Sequence, residues 1–236
     1  MEFKAGKKIY EGKAKILYET ADPDLLIQEF KDDATAFDAT KRGVIHDKGI
    51  VNNRISAVLF RTLEDRGVAT HFVRLLGDRT MLVRRLAIIP IEVTVRNVVA
   101  GGMARTFGLE EGKRLKQPVY EIHYKSDPLH DPLMNEEHAV AMGLAAPEEL
   151  ATLKERSLRV NRYLIEFFSP KGIDLIDFKL EYGRYKGRIF LGDEISPDTC
   201  RFWEVGTGRK LDKDRFRRDL GGIEEAYQEM LKRVES

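Results

Sequence analysis

The sequence predicts an α+β protein: an N-terminal antiparallel sheet carrying one packed helix, then a larger mixed α/β part, with the active cleft between the two. Three observations lead there. Up to about residue 88 the chain is mostly strand-like, with a single stretch of helical spacing. Beyond it, helical and strand patterns mix. Late in the chain, a hairpin carries a row of charged side chains on one face.

The elements follow in order. KKIYEGKAKILYET reads as two strands joined at Gly12, and LLIQEF as a third. The polar run DDATAFDATKRGVIHDKG reads as a loop. In NNRISAVLFRTLEDRG, Ile55, Val58, Leu59 and Leu63 recur at helical spacing, and Gly67 stands where a left-handed cap belongs. THFVRLLGDRTMLVRRL holds two short strands, and Pro90 opens the alternating strand IPIEVTVRN. The boundary between two units is expected at residues 86–89, dividing the chain into 1–88 and 89–236. VVAGGMARTF runs from a glycine turn into a short helix, and YEIHYKSDPLHDPLMNEE is rich in turn residues. Pro147-Glu148-Glu149 resembles a helix first turn, and Leu150, Leu153, Ser157, Val160, Leu164 and Phe167 mark one face of a long helix. Two helices close the chain, DKDRFRRDLGG and IEEAYQEMLKRVE.

The hairpin is LIDFKLEYG, a break RYKG, then RIFLGDEISPDTCR. Strand side chains alternate faces, so Asp177, Lys179 and Glu181 share one face while Ile176, Phe178 and Leu180 share the other. The second strand, taken to end at Asp193-Glu194, brings further carboxylates beside the first. Acidic, oxygen-only groups suit magnesium on phosphates, and a lysine among them suits a phosphoryl group in transfer. A solvated charged face would show the same alternation. Gly12-Lys13-Ala14-Lys15 has two readings as well. It fits a glycine flap over a nucleotide, with the two lysines on one face, or an ordinary hairpin with lysines guarding a sheet edge. It is no Walker A loop, since no Ser or Thr follows Gly-Lys. Arg96 and Arg201, at a strand end and after a turn, are phosphate clamps or plain surface arginines. His123, His130 and His138 match no standard zinc spacing.

Composition bounds the rest. The 236 residues carry a formal net charge of +1, with no basic excess of the kind that marks a nucleic-acid binder. No apolar run approaches the roughly 20 residues that span a bilayer, and no signal peptide is evident. Cys200 is the single cysteine, which fits a reducing cytoplasm.

Together, five ordered segments resemble the SAICAR synthetase family of de novo purine synthesis. They are IPIEVTVRNVVAGG (89–102), LIDFKLEYG (175–183), KGIVNN (48–53), HDPLMNE (130–136) and GDEISPDTCRFW (192–203). The resemblance implies an ATP- and magnesium-dependent carbon–nitrogen ligase. It would join the carboxylate of carboxy-aminoimidazole ribonucleotide to the amine of L-aspartate through an acyl phosphate. It also implies a homodimer. By carry-over, Lys13, Ala14 and Lys15 lie on the ATP phosphates, Ile88 near the adenine, and Glu181 and Asp193 on magnesium. Lys179 stabilises the transferring group, and Asp177 orients the ribonucleotide. Arg96, Arg201 and Gly102 serve its 5′-phosphate, while Asp38, Ser196 and Asp198 belong to the acceptor or aspartate pocket. The family pattern commonly has Ser where Gly102 stands, Phe where Tyr182 stands and Met where Ile88 stands.

Overall fold

The computed structural model describes residues 4–36 and 40–236, so the candidate Asp38 lies outside the described residues. Strands β1 (Lys8–Glu11), β2 (Lys15–Glu19) and β3 (Leu25–Phe30) form where alternation predicts them. The expected loop after β3 contains a short hairpin instead, β4 (Asp33–Ala36) paired with β5 (Lys41–Val44). Its sequences, DATA and KRGV, hold too few apolar residues to display a strand period.

Helix α1 (Lys48–Glu64) buries Val51, Ile55, Leu59 and Leu63 along one stripe. It begins earlier than its apolar spacing implies, because its first turns present Lys48 and Asn52 to the interior. Strands β6 (Phe72–Leu75) and β7 (Thr80–Arg84) complete an antiparallel sheet in the order β1-β2-β3-β7-β6.

The second sheet is built on β8 (Ala87–Val98). After α2 (Gly101–Phe107), the chain returns as β9 (Arg114–Tyr124) and the short β10 (Leu133–Met134). The expected turn-rich region thus contributes much of an eleven-residue strand, despite Pro118. Helices α3 (Glu136–Ala141) and α4 (Pro147–Phe168) follow; in α4, Leu150, Leu153, Val160, Leu164 and Phe168 are buried against β8, β9 and β11. Then come β11 (Ile173–Tyr185), β12 (Arg188–Leu191) and β13 (Cys200–Glu204), and finally α5 (Asp214–Arg217) and α6 (Ile223–Glu235), the latter packed on α1.

Strand β11 organises the site. One edge pairs with β8. Along the other edge it changes partner, pairing with β13 over its first half and β12 over its second. The chain between those partners, 192–199, must bow outward over the middle of β11. It is tied there by Gly192 N–H to Glu181 O and Lys179 N–H to Thr199 O, both 2.8 Å. The hairpin's second strand therefore ends at Leu191, and Asp193 and Glu194 belong to this bowed loop, not to a strand. The two sheets meet where Leu191 exchanges backbone bonds with Ala69 and His71, at 2.9 and 2.7 Å.

Candidate active site

Antiparallel register builds a charged wall. Asp177 faces Arg96 on β8 and Arg201 on β13; Lys179 faces Thr94; Glu181 faces Glu92. Directly opposed residues share a face, so these side chains project together while Ile176, Phe178 and Leu180 are fully buried behind them. The wall lines a cleft of about 640 Å³ whose other side is the first sheet and its β1–β2 hairpin. Lys13, Ala14, Lys15, Ile88, Asp193 and Asp198 also line it.

Two opposed glutamates on neighbouring strands would repel. Here cations separate them. Lys179 Nζ donates to Glu181 Oε1 at 2.7 Å and Glu92 Oε1 at 3.0 Å, and it lies 3.2 Å from Asp193 Oδ2. Lys125 Nζ donates to Glu181 at 2.8 Å. Burial alone would raise the Glu181 carboxyl. The ammonium groups of Lys179, Lys125 and Lys15 outweigh that and hold it well below the usual carboxylate range. Asp193 sits on a left-handed backbone, φ 60°, and reaches Lys15, which itself lies 3.9 Å from Glu194. Glu181 and Asp193 therefore converge on one cationic group, and both offer oxygen donors only. That donor set fits magnesium, which accepts one or two protein carboxylates and takes its remaining ligands from waters and phosphates.

Only Lys15 of the two flap lysines belongs to a strand. Lys13 stands in the turn, closed by Gly12 N–H to Lys15 O at 2.9 Å, and spans the mouth of the cleft to Asp127 at 2.7 Å. At the far end, Arg96 donates to Glu121 at 2.8 Å and Asp177 at 2.7 Å, while Arg201 donates to Asp177 and Asp214 at 2.9 Å. Ser196 stands apart from the cleft lining, fully buried, with its hydroxyl donating to Glu194 at 2.6 Å. Two of the histidines have structural tasks. His138 completes the α3 capping box with Asn135, and His123 Nδ1 lies 3.0 Å from Asp131 O. Burial pushes the Cys200 thiol up, so it stays protonated.

Sequence reading missed Glu92, Lys125, His71, Lys213 and Arg217, all of which line the cleft. Glu92 was within reach, since residues 92, 94 and 96 share a face of one strand. His71 is 5% exposed and its Nε2 has no hydrogen-bond partner. Burial, with Lys15 and Arg84 adding to it, pushes the imidazole down to about 3. Its folded pKa is depressed, so its contribution to stability is present above the unfolded value near 6.5 and is lost as pH falls toward 3. His71→Gln should therefore show a shallower loss of stability than the parent across that window. Denaturant melts at stepped pH would measure the difference, at most about 1.4 kcal/mol per pH unit.

The SAICAR synthetase family pattern matches residues 8–234. The chain belongs to the SAICAR synthetase family. It is similar to the phosphoribosylaminoimidazole-succinocarboxamide synthase of Chlorobium phaeobacteroides (strain BS1), with 58% identity and 96% of each chain covered. The synthase of Desulfitobacterium hafniense (strain Y51) shows 55% identity, with 97% of this chain and 96% of the relative covered. Among solved structures, the Ehrlichia chaffeensis synthase superposes with a TM-score of 0.96 at 45% identity, covering 97% of this chain and 98% of the other. A SAICAR synthetase (Type-2) in complex with ADP superposes at 0.93 and 48% identity, covering 95% and 96%. No helix among the described residues is long and apolar enough to cross a membrane.

Membership of the SAICAR synthetase family gives the glycine pair at 101–102 its interest. Gly101 has φ 53°, and a Cβ there would collide with the Arg201 guanidinium. A Cβ on Gly102 would have only Arg96 Nη2 nearby, at 3.8 Å. Gly102→Ser should thus fold normally, and on the expectation that this turn meets a phosphate-bearing acceptor it should tighten that binding a few-fold, through one added hydroxyl donor. Titration calorimetry of parent and variant would read this.

Proposed function

We propose that this chain is the ATP-dependent ligase that joins 5-amino-1-(5-phosphoribosyl)imidazole-4-carboxylate to L-aspartate, releasing ADP and phosphate, in purine biosynthesis. The observation that carries the reading is the convergence of Lys15, Lys179, Glu181 and Asp193 at one point of the cleft, with the arginine pair on Asp177 along the same wall. Kinship with the named synthases and with the ADP complex supports it.

A carboxylate is a poor electrophile because it already carries negative charge. Phosphorylation converts one of its oxygens into a leaving group, and the amine of aspartate then attacks the carbon and expels phosphate. In this reading Lys13 and Lys15 bind the ATP phosphates beneath the β1–β2 flap, with Ala14 between them and Ile88 against the adenine. Glu181 and Asp193 would hold magnesium, which would supply charge neutralisation on the phosphates. Lys179 steadies the phosphoryl group during transfer. Asp177 orients the ribonucleotide while Arg96 and Arg201 turn toward its 5′-phosphate, whose bidentate geometry suits guanidinium. Residues 1–88 form the nucleotide-flap unit and 89–236 the acceptor unit. The reading extends to a cytoplasmic homodimer; the lone buried cysteine fits a reducing compartment.

The test is ADP release with ATP, magnesium and the carboxy-aminoimidazole ribonucleotide, with and without L-aspartate. Stoichiometric ADP and succinocarboxamide that require aspartate are expected. ADP release at the same rate without aspartate, with a stable phosphorylated product, would make the protein a small-molecule kinase instead.

A further inference from the structure

The excursion between β8 and β9, residues 99–113, has few ties to the body. It closes on itself: Val99 N–H donates to Lys113 O and Gly112 N–H to Val99 O, both at 2.9 Å. Helix α2, which it carries, has no buried residue, so no apolar stripe fastens the helix down. Yet the start of α2 bounds the arginine end of the cleft. Gly101 lies against the Arg201 guanidinium, and a Cβ on Gly102 would stand 3.8 Å from Arg96 Nη2. Among the described residues, Glu111 supplies the only side-chain hydrogen bonds from residues 99–113 to the rest of the chain. Its Oε1 accepts Lys210 Nζ at 2.7 Å and Arg218 Nη1 at 2.8 Å, and its Oε2 accepts the same Nη1 at 3.1 Å. Burial would raise the Glu111 carboxyl; Lys210 and Arg218 outweigh it and hold the group below its usual range. Lys210 is itself fixed. Its ammonium sits 4.0 Å from the centre of the Trp203 ring, and Trp203 packs on Val98, Ala100 and Ile176 at the root of the excursion.

We infer that Glu111 is a positioning residue for the ribonucleotide: its clasp on Lys210 and Arg218 keeps the start of α2 seated against Arg201 and Arg96. This rests on the proposed ligase reading, in which those two arginines turn from Asp177 toward the 5′-phosphate. The Gly101 backbone is the wall that limits where the Arg201 guanidinium can swing. With the clasp open, the wall retreats, and binding must order both the arginine and α2 again. Glu111, Lys210 and Arg218 lie off the cleft lining, so none of them touches a substrate directly. Their effect is therefore confined to the substrate that the arginine end receives.

The experiment compares the parent enzyme with Glu111→Gln and Arg218→Gln in steady-state assays that vary each substrate separately. Both side chains are partly exposed, at 35% and 47%, so both variants should fold and melt close to the parent. Expected in Glu111→Gln is a rise of about 3- to 10-fold in KM for the carboxy-aminoimidazole ribonucleotide, the loss of a partly exposed ionic network. KM for ATP, KM for L-aspartate and kcat should stay within about two-fold. Arg218→Gln, which leaves Lys210 on Glu111, should raise the same KM by less. Amide exchange in Gly101–Phe107 of the ligand-free protein should be faster in Glu111→Gln than in the parent. An unchanged ribonucleotide KM, an equal rise for all three substrates, or unchanged exchange in α2 would overturn the assignment. Failure of the parent enzyme to turn over the ribonucleotide would sink the ligase reading itself, a separate result visible before any variant is made.

Discussion

Lys179→Ala should lower turnover by about 10²- to 10³-fold, the loss that follows removal of one charge-stabilising donor at a transition state. The ammonium lies within 3.2 Å of Glu181, Glu92 and Asp193. Burial works against its charge, yet Glu181 and Glu92 keep it firmly protonated. Removing it leaves three carboxylates facing one another with Lys15 and Lys125 as the remaining cations, so ADP affinity should change too, by a smaller factor. Single-turnover rates at saturating ATP separate the two effects. Near-normal turnover in the variant would mean that the charged row on β11 serves the fold and not the reaction.

Asp198→Ala should be strongly destabilising. It strands two ammonium groups, Lys48 at 0% and Lys213 at 9% exposure, and removes the acceptor of the Tyr227 hydroxyl. Breaking a buried pair by deleting one partner costs about 3–5 kcal/mol. For a chain of this size that is a fall of roughly 6–20 °C in Tm. The pair also sets a pH dependence. Burial would raise the Asp198 carboxyl, but Lys213 and Lys48 hold it well below the usual range. Its folded pKa is depressed, so its stabilisation is present above the unfolded value near 3.9 and fades as pH falls below it. Calorimetric melts should show a steeper acid-limb loss in the parent than in Asp198→Ala. Equal melting temperatures for the two proteins would refute the account.

The charged row was legible because it depends on one strand's period and nothing else. Asp177, Lys179 and Glu181 needed no knowledge of a neighbour. Helices α1, α4 and α6 were legible for the same reason, each carrying its apolar stripe in its own sequence. What stayed hidden depends on pairing. Lys125 reaches Glu181 only through the register of β9 against β8 and β8 against β11. Lys48 and Lys213 meet at Asp198 although 165 positions separate them, as differences between residue numbers show. No spacing rule connects them. The hairpin β4–β5 was hidden by its composition. The end of the second hairpin strand was misplaced because Gly192 begins a bow that exists only where β11 changes partner.

That stitched rear wall decides how the molecule can admit a nucleotide. Separating the two sheets would break the Leu191 backbone bonds, the Ser56 hydroxyl bond to Ile195 O and the Lys48–Asp198 pair at once. The wholesale hinging by which many two-lobed enzymes gape is therefore costly here. Strand β1, exposed along its whole length and paired on one edge only, is an easy element to lift. Loading and unloading are then expected through a small swinging door at the front, and amide exchange should run faster in Lys8–Glu11 than at Leu191 by orders of magnitude.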